Sequence, residues 1–218
     1  MKPGPPLLAK CPECGHEKSL LSLISGNTIG AVQWSDGYSY APMLPRVSRI
    51  QKCPDCGSYF FMSDSETRYA DRDDGFRYSS GTGRLTFPEI REALLLLEEA
   101  DLDNDKELTL RLEFLFRYND AFRNYSSDRY NPNPFERDTE RSEADVKLHK
   151  ENIKRLISLL DNEGDNKILI ADLYREAGMF GECLLTLENC SAENEFIEAI
   201  INRIREKALA SDSTVFEI

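Results

Sequence analysis

The sequence predicts a mainly α-helical protein headed by a small β-rich module, and three observations predict it. From Pro88 onward apolar residues recur at helical spacing. Residues 10–62 show only short alternations, broken by Gly and Pro. That same stretch contains two Cys-Pro-x-Cys-Gly segments. The expected organisation is a module at 1–62, a linker or flap at 63–86 and a helical domain at 87–218. A segment of ~60 residues buries too small a core to stand alone, so it needs a staple.

In the first segment, Ser58-Tyr59-Phe60-Phe61-Met62 reads as a short strand. Between 63 and 86 lie Arg68, Asp71, Arg72, Asp73, Asp74 and Arg77, then Ser79-Ser80-Gly81-Thr82-Gly83, a composition suited to a loose connection. The first helix opens near Pro88, whose missing N–H is harmless in a first turn, and carries Ile90, Ala93, Leu94 and Leu97 on one face. A second helix, about 106–124, has two apolar stripes: Leu108, Leu112, Leu115 and Phe122, and Leu110, Phe114 and Tyr118. Residues 125–138, with two Asn-Pro steps, read as a loop. Helices follow at about 139–160, with Val146, Ile153, Ile157 and Leu160 on one face, then at 165–177, 180–189 and 193–210.

The staple is visible in Cys11-Pro12-Glu13-Cys14-Gly15 and Cys53-Pro54-Asp55-Cys56-Gly57. A Cys-x-x-Cys turn directs two sulfurs at one ion, and glycine after the second cysteine tolerates the positive φ that such a turn wants. Two turns supply four soft ligands, the donor set of a closed, tetrahedral, structural Zn²⁺ site; iron uses similar turns and is the rival ion. Closing the interval between the pairs costs roughly 3 kcal/mol, against ~10–16 kcal/mol from structural zinc in small peptides. Catalytic zinc needs an open position, which four cysteines do not leave. A deaminase would need His-x-Glu, but His16 and Glu17 are adjacent; His16 reads as an exposed turn residue or as a substitute ligand.

Residues 170–183 resemble one tetratricopeptide unit. Ile170, Ala171, Tyr174, Gly178, Phe180 and Cys183 take the repeat's large, small, aromatic and turn positions in register, and Leu187 and Cys190 continue it. In that register Cys183 and Cys190 stand where alanine usually lets helices approach, as small buried hydrophobes. With a single recognisable unit, an extended solenoid is not expected. The two cysteine turns, the segments Gly26-Asn27-Thr28 and Trp34-Ser35-Asp36-Gly37 between them, and this hairpin together resemble an uncharacterised bacterial family. Its members join an N-terminal zinc ribbon to tetratricopeptide-like helices. The resemblance implies architecture and brings no established activity.

Between the cysteine turns, Trp34, Asp36, Tyr38 and Tyr40 admit two readings. They form an interaction surface, or the rings cover the apolar side of the metal module. Asp36-Gly37 is a hairpin signal that would set Trp34 near Tyr38. If the rings are core, the surface is to be sought near Asp172 and Arg175. Gly26 and Gly30 lack the Gly-Lys-Ser/Thr of a phosphate loop. On the second helix, Arg117, Asn119, Asp120 and Arg123 interrupt the apolar pattern, and Asn119 reads as an interior polar anchor. His16 and His149 are the only histidines, and no Ser-His-Asp or Cys-His ordering presents itself, so no catalytic residues are assigned.

Net charge is −12, but residues 1–62 hold six Lys/Arg against four Asp/Glu, which leaves −14 for the remainder. An acidic surface disfavours phosphate backbones. The expected function is therefore a non-catalytic, zinc-binding protein that docks another protein. A nucleic-acid-associated ribbon is the alternative, given the slight basic bias of 1–62. No apolar run reaches the ~20 residues of a membrane helix, and a cytoplasmic location is expected.

Overall fold

The structure, a computed structural model, describes residues 1–71, 81–97, 100–125, 134–135, 140–160 and 166–218. It is mainly helical with a small β part. Its residues divide into two compact units, 1–31 with 40–110, and 32–39 with 111–218.

The first unit is built on short antiparallel strands. β1 (Lys2–Pro3) pairs with β4 (Leu23–Ser25). β2 (Leu7–Lys10) lies between β3 (Glu17–Leu20) and β9 (Thr67–Tyr69). Its register runs from Leu7 opposite Leu20 to Lys10 opposite Glu17. β7 (Ile50–Lys52) pairs with β8 (Tyr59–Phe61), Lys52 standing opposite Tyr59. Alternation puts Ala9 and Leu20 inside, whereas both faces of the β7–β8 pair are covered, with Ile50, Gln51, Phe60 and Phe61 all buried. Arg68 grips Glu17 through two nitrogens at 3.0 and 2.9 Å, which ties β9 to β3 across the exposed face of β2.

Two helical stretches join this unit. α1 (Phe87–Leu97) buries Phe87, Ile90, Ala93 and Leu94, close to the expected face. Its start is fixed by Glu89, whose carboxylate accepts the Thr86 N–H and hydroxyl, both at 3.0 Å. Lys52 reaches Glu89 at 3.8 Å and Glu92 at 3.5 Å, and the Tyr59 hydroxyl donates to Glu92. α2 (Asn104–Asn119) opens with Asp103 accepting the Lys106 N–H at 2.8 Å, and Lys106 pairs with Asp64 at 2.7 Å. These links explain why the division passes through α2 rather than at 62 and 86. The residues expected as a linker are structured where described: 67–69 form β9, and Gly81 and Thr82 accept the Leu21 and Ser48 N–H groups. Residues 72–80 of that segment lie outside the described residues, as does most of the loop expected at 125–138.

In the second unit α2 ends at Asn119, and a single tight turn, Asp120–Phe122, replaces the helix expected to continue to 124. α3 (Glu143–Leu159) starts in a capping box: Ser142 Oγ accepts the Asp145 N–H and the Asp145 carboxylate accepts the Ser142 N–H. Its inward face is Asp145, His149, Asn152, Ile153 and Leu156. Of the stripe expected there only Ile153 is buried, and Val146 is exposed. The face is turned because polar residues are bonded inside: Asn152 Nδ2 donates to the Arg111 carbonyl, and His149 stacks on Tyr118 with centroids 3.7 Å apart. α4 (Asn166–Glu176), α5 (Phe180–Glu188) and α6 (Glu195–Leu209) enclose a core of Ala171, Cys183, Leu187, Ile201, Ile204, Ala208 and Phe216.

Residues 32–39 complete this unit. β5 (Val32–Gln33) and β6 (Ser39–Tyr40) form a hairpin whose turn bonds the Trp34 N–H to the Tyr38 carbonyl at 2.9 Å. The chain's last residues lie along it: Ser35 N–H donates to Phe216, Ile218 N–H to Gln33, and Trp34 bridges Glu217. No helix among the described residues is long and apolar enough to cross a membrane.

Candidate metal centre

The two cysteine turns are two copies of one local structure. In each, the first cysteine's N–H donates five residues ahead, Cys11 to the His16 carbonyl and Cys53 to the Ser58 carbonyl, both at 2.8 Å. In each, the glycine's N–H returns to the first cysteine's carbonyl, at 2.9 Å from Gly15 and 3.1 Å from Gly57. Those glycines have φ of 76° and 77°, a left-handed conformation that costs other residues but not glycine. Each turn closes a hairpin at the same register, Lys10 opposite Glu17 and Lys52 opposite Tyr59.

The hairpins bring the four cysteines together, with all four sulfurs within 4.8 Å of one another. Cys11 Sγ lies 3.8 Å from Cys56 Sγ, and Cys14 Sγ lies 3.6 Å from Cys53 Sγ. A tetrahedron with ~2.3 Å metal–sulfur bonds has edges of about 3.8 Å, so the donor set fits such an ion. Cys11 and Cys53 are buried against Phe60 and Met62, while Cys14 and Cys56 are exposed.

Electrostatics at the cluster also fit a cation. At Cys11 burial works upward. It is outweighed by the Ser58 hydroxyl and by the backbone N–H groups of Cys14 and Glu13, which bring the thiol down to about 6. The Ser58 hydroxyl likewise lowers Cys56. Cys14 goes the other way. Although the His16 N–H lowers it, desolvation and the three neighbouring sulfurs push it up to about 12. Sulfurs this crowded do not share four negative charges without a positive ion among them.

Ser58 is the residue sequence reasoning missed. Its hydroxyl lies 3.4 Å from Cys11 Sγ and 3.0 Å from Cys56 Sγ, so it touches one cysteine from each pair. The repeated turn could have flagged it, because it occupies the place that His16 holds in the other copy. His16 itself is an exposed turn residue outside the sulfur cluster.

Comparison with known family models, curated proteins and solved structures finds no match for this chain.

The expected surface of Trp34, Asp36, Tyr38 and Tyr40 is corrected by burial. Trp34 is 1% exposed and Asp36 0%, while Tyr38 and Tyr40 are half-buried. Three of them, Trp34, Asp36 and Tyr38, belong to the second unit, where Arg123 holds them. The Arg123 guanidinium forks onto both oxygens of Asp36 and lies over the rings of Trp34, at 5.1 Å, and Tyr38, at 4.5 Å. Asn119 is the interior anchor expected of it, donating to Asp36 Oδ2 at 3.0 Å and to Glu176 Oε2 at 2.8 Å. Arg117 and Arg123 both hold Asp120.

Asp172 and Arg175 are not surface residues, for both are fully buried. Arg175 Nε donates to Asp172 at 2.6 Å, and its Nη1 bonds the Asp212 and Thr214 carbonyls at 2.9 and 2.8 Å. Burial, then the charges of Asp172 and Asp36, hold the Glu176 carboxyl well above the usual range. Cys183 is fully buried, and desolvation pushes its thiol up to about 12. Cys190 is half-buried with its thiol donating to the Thr186 carbonyl at 3.4 Å.

Proposed function

We propose that this chain is a non-catalytic interaction protein in which Cys11, Cys14, Cys53 and Cys56 hold one structural Zn²⁺, making residues around them a zinc ribbon, and the helical unit docks another protein. The four-sulfur cluster is the observation that carries this reading. Its donor set and spacing suit a closed tetrahedral ion, and a closed set leaves no position for substrate or water. Zinc is preferred to iron because it has no geometric preference to satisfy and is the usual occupant of such thiolate turns.

Docking is assigned to the α3–α5 face. A groove of about 490 Å³ is lined by Ile157, Ile170 and Leu185, with Lys167 and Tyr174 along α4. Its size lies within the range of ligand sites. Neither the Lys167 ammonium nor the Tyr174 hydroxyl has a partner among the described residues, and Leu185 is exposed. An apolar segment of a partner protein with a carboxylate facing Lys167 complements that lining. A tetratricopeptide-like reading of the α4–α5 hairpin is supported by Ala171, Cys183 and Leu187 lying inside, with Tyr174 and Phe180 against them.

Elemental analysis of protein purified without chelators should find about one zinc per chain; protein free of zinc and iron would end the metal reading. Peptides of three apolar residues and one carboxylate should shift the Ile170 and Leu185 methyl resonances saturably, and Lys167→Glu should abolish this. Absence of shifts, or salt-sensitive binding of single-stranded oligonucleotides instead, would replace protein docking with the nucleic-acid alternative.

A further inference from the structure

The four sulfurs are not equivalent, and their cluster lies wholly within the first unit. Depth divides them one way: Cys11 and Cys53 are 1% and 2% exposed, whereas Cys14 and Cys56 open to solvent. Hydrogen bonding divides them another way. The backbone treats the two outer cysteines alike, since Cys14 takes the His16 N–H and Cys56 the Ser58 N–H. The Ser58 hydroxyl adds a contact to Cys56 at 3.0 Å and to Cys11 at 3.4 Å. Among the described residues, no side-chain hydroxyl bonds Cys14 or Cys53. One cysteine of each turn is therefore held by Ser58 and one is not. The two that are not, Cys14 and Cys53, lie with their sulfurs 3.6 Å apart across the two hairpins.

We propose that Cys14 is an oxidation site with Cys53 as its resolving partner, so that a peroxide converts the cluster from an ion-holding state to one closed by a Cys14–Cys53 disulfide. Release of the ion rests on the metal reading above; the choice of pair does not. Exposure decides which sulfurs a peroxide reaches, and a thiolate that accepts a hydrogen bond has less electron density to give. Of the four, only Cys14 combines exposure with the absence of a hydroxyl. With hydrogen peroxide, the Cys14 sulfur attacks one oxygen: an S–O bond forms, the O–O bond breaks, and the leaving hydroxide takes a proton to become water. The sulfur is oxidised by two electrons to a sulfenic acid, and the peroxide is reduced. The Cys53 thiolate then attacks that sulfur. The S–S bond forms, and the S–O bond breaks to release a second hydroxide, which is protonated to water. Two thiolates, one hydrogen peroxide and two protons thus give one disulfide and two waters. With two of four donors gone, the closed tetrahedral set no longer exists and the ion leaves. The hairpins stay tied, because the disulfide joins the same two turns. A thiol reductant restores the four donors.

The full chain, as purified, tests this. Lys18, Lys52, Asp55 and Glu89 line the groove beside Cys56, so the probe is neutral hydrogen peroxide, whose approach their field does not steer. After brief exposure to a stoichiometric amount, the remaining thiols are capped under denaturing conditions and cross-linked peptides are quantified by mass spectrometry. A chromophoric chelator reads the Zn²⁺ released. The Cys14–Cys53 link should exceed the Cys11–Cys56 link roughly threefold or more, the effect of one hydrogen bond, and Zn²⁺ release should rise with it. Ser58→Ala, which frees the other pair of its hydroxyl, should bring the two links to equal yield. In the native chain, links within a turn as the main product, or a Cys11–Cys56 link that equals or exceeds the other, would overturn the proposal. So would four cysteines that stay reduced in excess peroxide. These native-chain yields decide the matter even if Ser58→Ala fails to fold. A chain that carries no Zn²⁺ yet forms the Cys14–Cys53 link would remove the metal reading and leave the pairing standing. A chain that keeps its Zn²⁺ while the link forms would overturn the exchange.

Discussion

Asp36 and Arg123 stand 87 positions apart in the chain and meet as a forked ion pair with both side chains at 0% exposure. Such a pair does not recover its full desolvation cost in water-free surroundings, but removing one member leaves the other charged and stranded. Here Arg123 also shares Asp120 with Arg117 and lies over two rings, so its loss strands Asp36 and takes one of two partners from Asp120.

Arg123→Ala should therefore destabilise the helical unit by about 3–5 kcal/mol. Arg123→Lys should recover only part of this, since an ammonium cannot fork onto both oxygens. Denaturant unfolding followed by helical circular dichroism measures both. An alanine variant as stable as the parent would mean that the pair is not holding the unit.

Two buried groups set opposite limits on stability with pH. Burial and the charges of Asp172 and Asp36 raise the folded Glu176 carboxyl above its ordinary 4.5. Its contribution is complete below that value and is lost as pH rises through the folded one. Glu176→Gln should remove this decline on the alkaline side. His149 is the reverse. Burial first, then Arg141 and Lys150, bring it from 6.5 to about 3, so the folded ring is neutral. The unfolded chain takes up the proton first, and stability falls as pH drops below 6.5. His149→Phe, which keeps a ring on Tyr118, should flatten that acid limb. Thermal unfolding from pH 4 to 9 separates the two variants, and parallel profiles for parent and variants would refute both assignments.

Ser58→Ala should leave the fold intact and weaken Zn²⁺ binding by ~10-fold, the usual effect of losing a hydrogen bond to a ligand. Chelator competition reads the change. His16→Ala, at the matching position of the other turn, should have little effect, because its side chain is outside the cluster. Equal losses from both would show that the turn's backbone, not the hydroxyl, is what matters.

Cys183 should resist alkylation in the native state and react only on unfolding, because it is fully buried and its thiol is held near 12. Cys183→Ala should be mild, while Cys183→Leu should cost about 1–3 kcal/mol from overpacking. Mass spectrometry after brief exposure to iodoacetamide decides it, and rapid native labelling would place the hairpin in a different register.

The helices and the cysteine cluster were legible because both obey local rules. Apolar spacing located α1 and α4–α6 to within a residue or two, and Cys-Pro-x-Cys-Gly carries its own turn chemistry. What escaped reading is polar and long-range. The face of α3 was misplaced because Asp145, His149 and Asn152 point inward, and nothing in an apolar pattern reports a bonded interior polar group. Trp34 and Asp36 looked like a surface because aromatic and acidic residues in a Gly-rich stretch usually are one. Their burial depends on Arg123, whose partnership with residue 36 no local window contains. Asn119 was readable, since a lone amide on an apolar stripe has to find a partner inside.

Trp34 is the chain's only tryptophan, and it is shielded from solvent with a guanidinium on its face and the edge of Phe135 5.9 Å away. Optically, then, the whole protein has a single indole channel, and that channel looks at one spot in the loop between the two cysteine pairs. Excited at wavelengths where the nine tyrosines do not absorb, the chain should emit to the blue of an indole in water. It should shift red the moment that spot is hydrated. The fold has in effect labelled the seat of the Asp36–Arg123 pair with a dye, at no cost to the surface.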